Sequence, residues 1–212
     1  YHCVGTSADF QLALNAAKDN NKHDVIMLKQ GTYGISENNS VSFKYATSQP
    51  WDLVVEGGYL PDCTERVIDP STTILDGEGI LQTSSAGVLH LHDGSTSPDH
   101  VVLVDGITFQ NGNSSNYGGG IYAYSSHGAL TLKNNIIRTN TGTSRGGIYA
   151  STSSGTFVLA NTIISGNVAA DYAGLYVYSM QGRIEATNNT IAGNSATGKG
   201  GGLFLYLYYG VL

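Results

Sequence analysis

The sequence has little charge, two cysteines, one tryptophan and no long apolar run. Only 12% of its 212 residues are charged. The net charge is −6, and the Lys and Arg residues are scattered rather than clustered. This excludes nucleic acid and anionic membrane surfaces as partners, because both need a concentrated basic patch. No apolar stretch reaches the ~20 residues of a membrane span, and the closing 203–209 run is too short for one. No basic-then-apolar segment stands at Tyr1, so any signal peptide is expected to have been removed. Cys3 and Cys63 suit one disulfide near the N-terminus, with two free thiols as the alternative.

Helical periodicity is equally scarce. Phe10, Ala13, Leu14 and Ala17 fall on one face, which predicts a helix over 8–19 with Ser7 as its cap. The apolar run 25–28 reads as a strand that stops at a 31–34 turn. Phe43 and 53–55 read as strands, and Gly57-Gly58 as a turn. Trp51 is expected where the helix meets the rest of the chain.

What the sequence has in quantity is repetition. Ile121, Ile148 and Leu175 are 27 residues apart, and Leu203 follows 28 further on. Tyr122, Tyr149, Tyr176 and Phe204 move with them. A fixed period of this length marks a solenoid. Short alternating runs such as Ile121-Tyr122-Ala123-Tyr124 mark strands, and Gly and Asn punctuate the corners. About 27 residues accommodate three short strands and three turns, stacked about 4.8 Å apart as parallel strands. The fold class is therefore all-β: a parallel β-helix of about seven coils with an N-terminal capping helix, as one domain over 1–212. Residues 1–24 form the cap, 25–117 the irregular coils and 118–212 the regular coils, expected to end open or truncated. An open end would allow end-to-end self-association, up to a fibre. Asn111, Asn140, Asn167 and Asn194 read as an asparagine ladder. Asp76, Asp105, Asn134, Asn161 and Asn188 read as a second column.

The whole chain resembles right-handed parallel β-helix proteins of the pectin-lyase-like superfamily. The residues that carry the resemblance are 10–17, Asp24-Val25-Ile26, Gly31-Thr32-Tyr33, Gly57-Gly58-Tyr59, Thr73-Ile74-Leu75-Asp76-Gly77 and the Gly-Gly-Gly-Ile-Tyr…Asn-Asn-Ile-Ile pattern from Gly118. The last pattern is similar to secreted bacterial repeat proteins and polymorphic outer-membrane protein passengers. The resemblance implies an extracellular or cell-surface bacterial protein. It implies a fold that hosts lyases, hydrolases, adhesins and structural proteins alike.

Carboxylate chemistry on polysaccharides needs paired acids or an acid cluster with Ca²⁺. After residue 106 the coils contain only two acids, Asp171 and Glu185. The candidate catalytic residues are therefore in the earlier coils: Asp76 and Asp105, read as one column, and His90 and His92, which share the outward face of a strand at metal-ligand spacing. No cofactor is expected beyond a weak case for Ca²⁺ beside Asp76. The alternative surface is aromatic. Tyr122, Tyr149, Tyr176 and Phe204 alternate with the inward Ile/Leu column, and Tyr124, Tyr178 and Tyr206 form a second outward column interrupted by Ser151. Stacked rings offer a flat face to a polysaccharide or another protein. The leading expectation is a structural or adhesive β-helix with this contact stripe, and the competing one is a polysaccharide lyase or hydrolase.

Overall fold

The computed structural model describes residues 1–38, 41–83, 87–209 and 211–212. Each full turn of the chain has four faces rather than the three expected. One turn runs Ala129–Lys133, Ile136–Arg138, Thr141–Gly142 and Ile148–Thr152, and the next begins at Thr156–Ala160. Each strand inside the stack pairs in parallel with its equivalents in the turns before and after, giving, among the described residues, sheets of seven, six, five and six strands. The fourth face is Phe43–Thr47, Leu89–Asp93, Ile121–Ser125, Ile148–Thr152, Leu175–Ser179 and Leu203–Leu207. Its register sets Ile121, Ile148, Leu175 and Leu203 opposite one another. The earlier turns are longer: Leu89 pairs with Ile121 and Phe43 with Leu89, so loops enter between them.

Alternation within each strand separates inside from outside. Ile121 and Ala123, with their equivalents Ile148 and Ala150 and then Leu175 and Val177, are buried in one continuous core. Leu130, Leu132, Ile137, Phe157 and Leu159 close it from the other faces. Each fully buried Leu or Ile side chain contributes about 1.5–3 kcal/mol relative to exposure.

The corners are held by side chains that replace backbone partners. The Asn140 Nδ2 donates to Asn167 Oδ1 at 3.0 Å, and Asn167 Nδ2 donates to Asn194 Oδ1 at 2.8 Å. The same oxygens accept the backbone N–H of Asn140 and Asn167 at 3.0 Å each. Asn111 is not part of this ladder: Gly112 takes that place, donating its N–H to Asn140 Oδ1 at 2.8 Å. Asn111 instead occupies the left-handed corner that Thr139, Gly166 and Gly193 occupy in later turns. A second inward ladder of Asn135, Thr162 and Asn189 binds the preceding corner, accepting the N–H groups of Ile107, Asn135 and Thr162.

The helix spans Ser7–Ala17, with Thr6 rather than Ser7 as N-cap: its Oγ1 accepts the Asp9 N–H at 3.1 Å. Phe10, Ala13, Leu14 and Ala17 are buried against the first turn, as the periodicity predicts. Phe10 packs on Phe43 with ring centroids 4.9 Å apart. Trp51 meets the His23 ring edge-on at 5.0 Å. Gly57 and Gly58 do not form a turn; they lie inside the strand Leu53–Tyr59. A Cβ on Gly57 would meet the Gly106 oxygen at 2.4 Å, so the neighbouring turn requires glycine there.

Cys3 and Cys63 form the disulfide. It ties the first edge strand, His2–Val4, to the loop after the strand Leu53–Tyr59. The bridge closes 60 residues of chain, which corresponds to about 4 kcal/mol in the chain-entropy account. Replacing both cysteines by serine is expected to lower the urea unfolding free energy by about 2–4 kcal/mol; an unchanged midpoint would show that the bridge adds nothing.

Candidate functional site

The fourth face carries two columns of outward rings. In the first, Lys44, His90, Tyr122, Tyr149, Tyr176 and Phe204 are in register. Their rings stack from His90 onward. His90–Tyr122 are 4.6 Å apart, Tyr122–Tyr149 5.2 Å, Tyr149–Tyr176 5.5 Å and Tyr176–Phe204 5.4 Å. The rings are nearly coplanar in orientation, with interplanar angles of 9° to 23°. The cause is the strand itself: a parallel ladder sets equivalent side chains one strand spacing apart, and that spacing is close to a ring-stacking distance. In the second column His92 stacks on Tyr124 at 4.8 Å and Tyr178 on Tyr206 at 5.5 Å, with Ser151 between the pairs. His90 and His92 thus extend the tyrosine columns by one turn.

A third set of groups completes this face. Tyr117, Arg145 and Tyr172 project from the corner loops that lead into the face. The Arg145 guanidinium lies 4.3 Å from the Tyr117 ring and 4.4 Å from the Tyr176 ring, with Tyr149 at 5.1 Å and Tyr172 at 5.6 Å. Each such contact is worth about 0.5–2 kcal/mol, so the arginine binds adjacent turns together across the stripe. Sequence reasoning missed this cluster because its members differ in residue type. The available signal was position: each stands immediately ahead of a Gly-Gly or Ala-Gly corner.

The earlier acids are used differently. Asp105 accepts from Arg66 Nη1 at 3.2 Å and from Asn134 Nδ2 at 2.7 Å, while Arg66 also reaches Glu56 at 3.0 Å and the Gly57 carbonyl at 2.9 Å. Asp76 accepts from Gln110 Nε2 at 2.8 Å, from Asn111 Nδ2 at 3.0 Å and from the Glu78 N–H at 2.7 Å. Asp76 and Asp105 do not share a column. Asp76 is opposite Gln110 on the second face, and Asp105 is opposite Glu56 and Lys133 on the first. Neither stands in the column of asparagines: Gly106 rather than Asp105 occupies the left-handed corner of Asn134, Asn161 and Asn188, and Asp105, one residue ahead of it, accepts from Asn134 Nδ2. Together with His90 and His92 on the fourth face, the four candidate catalytic residues lie on three different faces. Among the described residues no three His, Cys, Asp or Glu side chains gather closely enough to hold a metal ion.

One acid–imidazole–hydroxyl group was not expected from sequence. Asp93 accepts from His100 Nε2 at 2.6 Å and from Ser125 Oγ at 3.0 Å, and the His100 Nδ1 faces the Ser97 carbonyl at 2.8 Å. The hydroxyl and the imidazole both turn to the carboxylate rather than to each other, and all three residues are buried. This is the geometry of a corner clamp, since a nucleophilic serine must donate to the imidazole.

The family model for the right-handed β-helix region matches residues 59–208. The chain belongs to the right-handed β-helix family. No curated protein and no solved structure matches it. For a right-handed β-helix the parallel ladder and the pectin-lyase-like resemblance agree on fold, and the fold leaves open which face carries function.

Burial raises the phenol pKa of several tyrosines in this β-helix. Tyr122 and Tyr149 on the stripe are pushed up by desolvation. Tyr45 in the core and Tyr59 beside Glu56 are pushed up to about 12, again chiefly by burial. A phenol with a higher pKa folded than unfolded stabilises the fold below its unfolded value of about 10. It withdraws that stability as pH climbs through the folded value. The phenols' contribution to the unfolding free energy is therefore expected to stay level below pH 10 and to fall between pH 10 and about 12. Denaturant titrations across that range, with phenolate absorbance followed in parallel, check it; phenols that ionise in the folded state as they do in the unfolded one would contradict it.

Proposed function

We propose that this protein is a structural or adhesive β-helix of the extracellular space or cell surface whose contact surface is the aromatic stripe of the fourth face. The observation that carries the reading is the unbroken stack from His90 through Tyr122, Tyr149 and Tyr176 to Phe204. A rigid row of half-buried rings presents apolar area that loses little conformational freedom on contact. Sugar rings of a polysaccharide stack on such a surface, and the phenol hydroxyls beside them supply hydrogen bonds. The disulfide supports an oxidising location, since structural disulfides persist there. The carboxylates that cleavage would need are engaged in corner hydrogen bonds.

Gel retardation in neutral and acidic soluble polysaccharides tests the reading. The wild type is expected to be retarded by at least one polymer. Tyr149→Ala combined with Tyr176→Ala is expected to weaken retardation about tenfold, at about 0.5–1.5 kcal/mol per ring. No retardation, or equal retardation of the double variant, would defeat it. A second reading, cleavage of an acidic polysaccharide, has one observation in its favour: an open groove of about 490 Å³ lined by Asp76, Glu78, Asn111, Asn113, Thr139 and Thr141. Release of unsaturated product from a uronate polymer, lost in Asp76→Asn, would favour that reading over the first.

A further inference from the structure

Three of the four arginines are held by oxygen acceptors, and the fourth is not. Arg66 reaches Glu56, Asp105 and the Gly57 carbonyl. Arg138 donates twice to Gln110 Oε1, at 3.0 and 2.9 Å. Arg183 pairs with Glu185 at 2.8 Å. Arg145 makes one hydrogen bond, from Nη1 to the Ser144 hydroxyl at 3.3 Å. Its Nε is buried with no acceptor, and its Nη2 is unbonded but, unlike Nε, not sealed from solvent. Among the described residues no carboxylate pairs with it.

The tyrosine box explains how the chain tolerates this charge and what the box leaves undone. The rings of Tyr117 and Tyr176, at 4.3 and 4.4 Å, stabilise the cation through their quadrupoles. They displace part of its water without supplying the oxygen acceptors that water supplied. A guanidinium has five N–H donors in a planar fork, and here one is used. An oxyanion set against the fork restores the lost partners through two parallel, charge-assisted hydrogen bonds. The rings also hold the side chain in place, so little rotamer freedom is lost when it binds.

The surroundings favour an anion as well. The protein carries a net charge of −6, yet among the described residues the outward positions of the fourth-face strands hold no acid. They hold Lys44, His90 and His92 beside the rings. The corner loops that lead into the last four strands add Arg145 and Lys199 against one acid, Asp171. That acid is engaged: its Oδ1 accepts the Lys199 N–H at 2.9 Å. The aromatic face is therefore a basic surface on an acidic protein.

We infer that Arg145 is the specificity-determining residue of the aromatic stripe, selecting polysaccharides that carry an oxyanion, a carboxylate or a sulfate ester, over neutral ones. The inference rests on the reading of the fourth face as a polysaccharide contact surface. The guanidinium touches Tyr149 and Tyr176 of the stripe, at 5.1 and 4.4 Å. A chain lying along those two rings passes beside it. One isolated cation reads one anionic group at a time, in keeping with a face that lacks the clustered charge a nucleic acid needs.

Gel retardation in hydroxyethylcellulose, carboxymethylcellulose and cellulose sulfate of equal chain length tests this, because the three share one glucan backbone. The wild type is expected to bind a carboxylated or sulfated polymer at least about tenfold more tightly than the neutral one, and the two anionic arms show which oxyanion the site takes. Arg145→Gln is expected to lower binding of the anionic polymers to the neutral level. Arg145→Lys keeps the charge and is expected to keep a preference for anions. In the wild type the Arg145 side-chain Nε–H resonance is expected to shift with an anionic polymer and not with hydroxyethylcellulose, a readout that needs no variant to fold. Retardation by all three polymers alike, Gln and Lys variants that behave alike, or an Arg145 resonance that ignores the anionic polymers would overturn the inference and leave the aromatic contact surface standing. Retardation by none of the three would overturn both.

Discussion

Each turn of this protein is stable only because the next turn repeats it. A strand of five residues, or of two, has no independent stability in water. Here every strand inside the stack satisfies its backbone groups on the turns before and after, and the asparagines at the corners do the same where the chain bends. Asn140, Asn167 and Asn194 each offer a side-chain oxygen to the backbone of the preceding turn and a side-chain N–H to a carbonyl further back. These groups sit at a buried corner where an unmade bond costs about 1–3 kcal/mol. The constraint is therefore register: each turn must return to the same corner with the same residue types, or the ladder leaves buried polar groups unpaired.

The aromatic stripe follows from that constraint. Once equivalent residues stand one strand spacing apart, a tyrosine that recurs at one outward position becomes a column of stacked rings. The same repetition governs the scarcity of charge, because like charges in register would repel along the whole rod. The acids that remain lie mostly in the irregular early turns. There Arg66, Asn134, Gln110 and Asn111 satisfy Asp105 and Asp76, and the clamp of Asp93, His100 and Ser125 fastens an inserted loop to its neighbour. Charge in this protein joins irregular segments to the regular stack.

The regular turns were legible in the sequence because their period is constant. Ile121, Ile148 and Leu175 give the inward column, and Tyr122, Tyr149 and Tyr176 the outward one, without any structure. The two-residue strands such as Thr141–Gly142 were not legible, since two residues carry no alternation; this is why four faces replaced three. The early columns failed for a related reason. Asp76 and Asp105 are 29 residues apart, close to one period, yet they stand at different corners because the intervening turn is longer. Asn111 was misplaced by one residue for the same cause: the step into its turn is not the step out of it. The Arg145 cluster escaped because periodicity detects like residues, and this site joins a guanidinium to tyrosines of three turns.

The central claim is that the asparagine corners, with the turns stacked in register upon them, hold the rod together. Backbone amide exchange at Gly112, Asn140 and Asn167 tests it most directly, because each of these N–H groups donates to the side chain of the next turn's asparagine and to nothing else in a regular strand. The account predicts that all three exchange only through global unfolding, with the protection of core-strand amides such as Leu132 and Leu159. Exchange at the rate of the exposed corner loops, while the core strands stay protected, would contradict it.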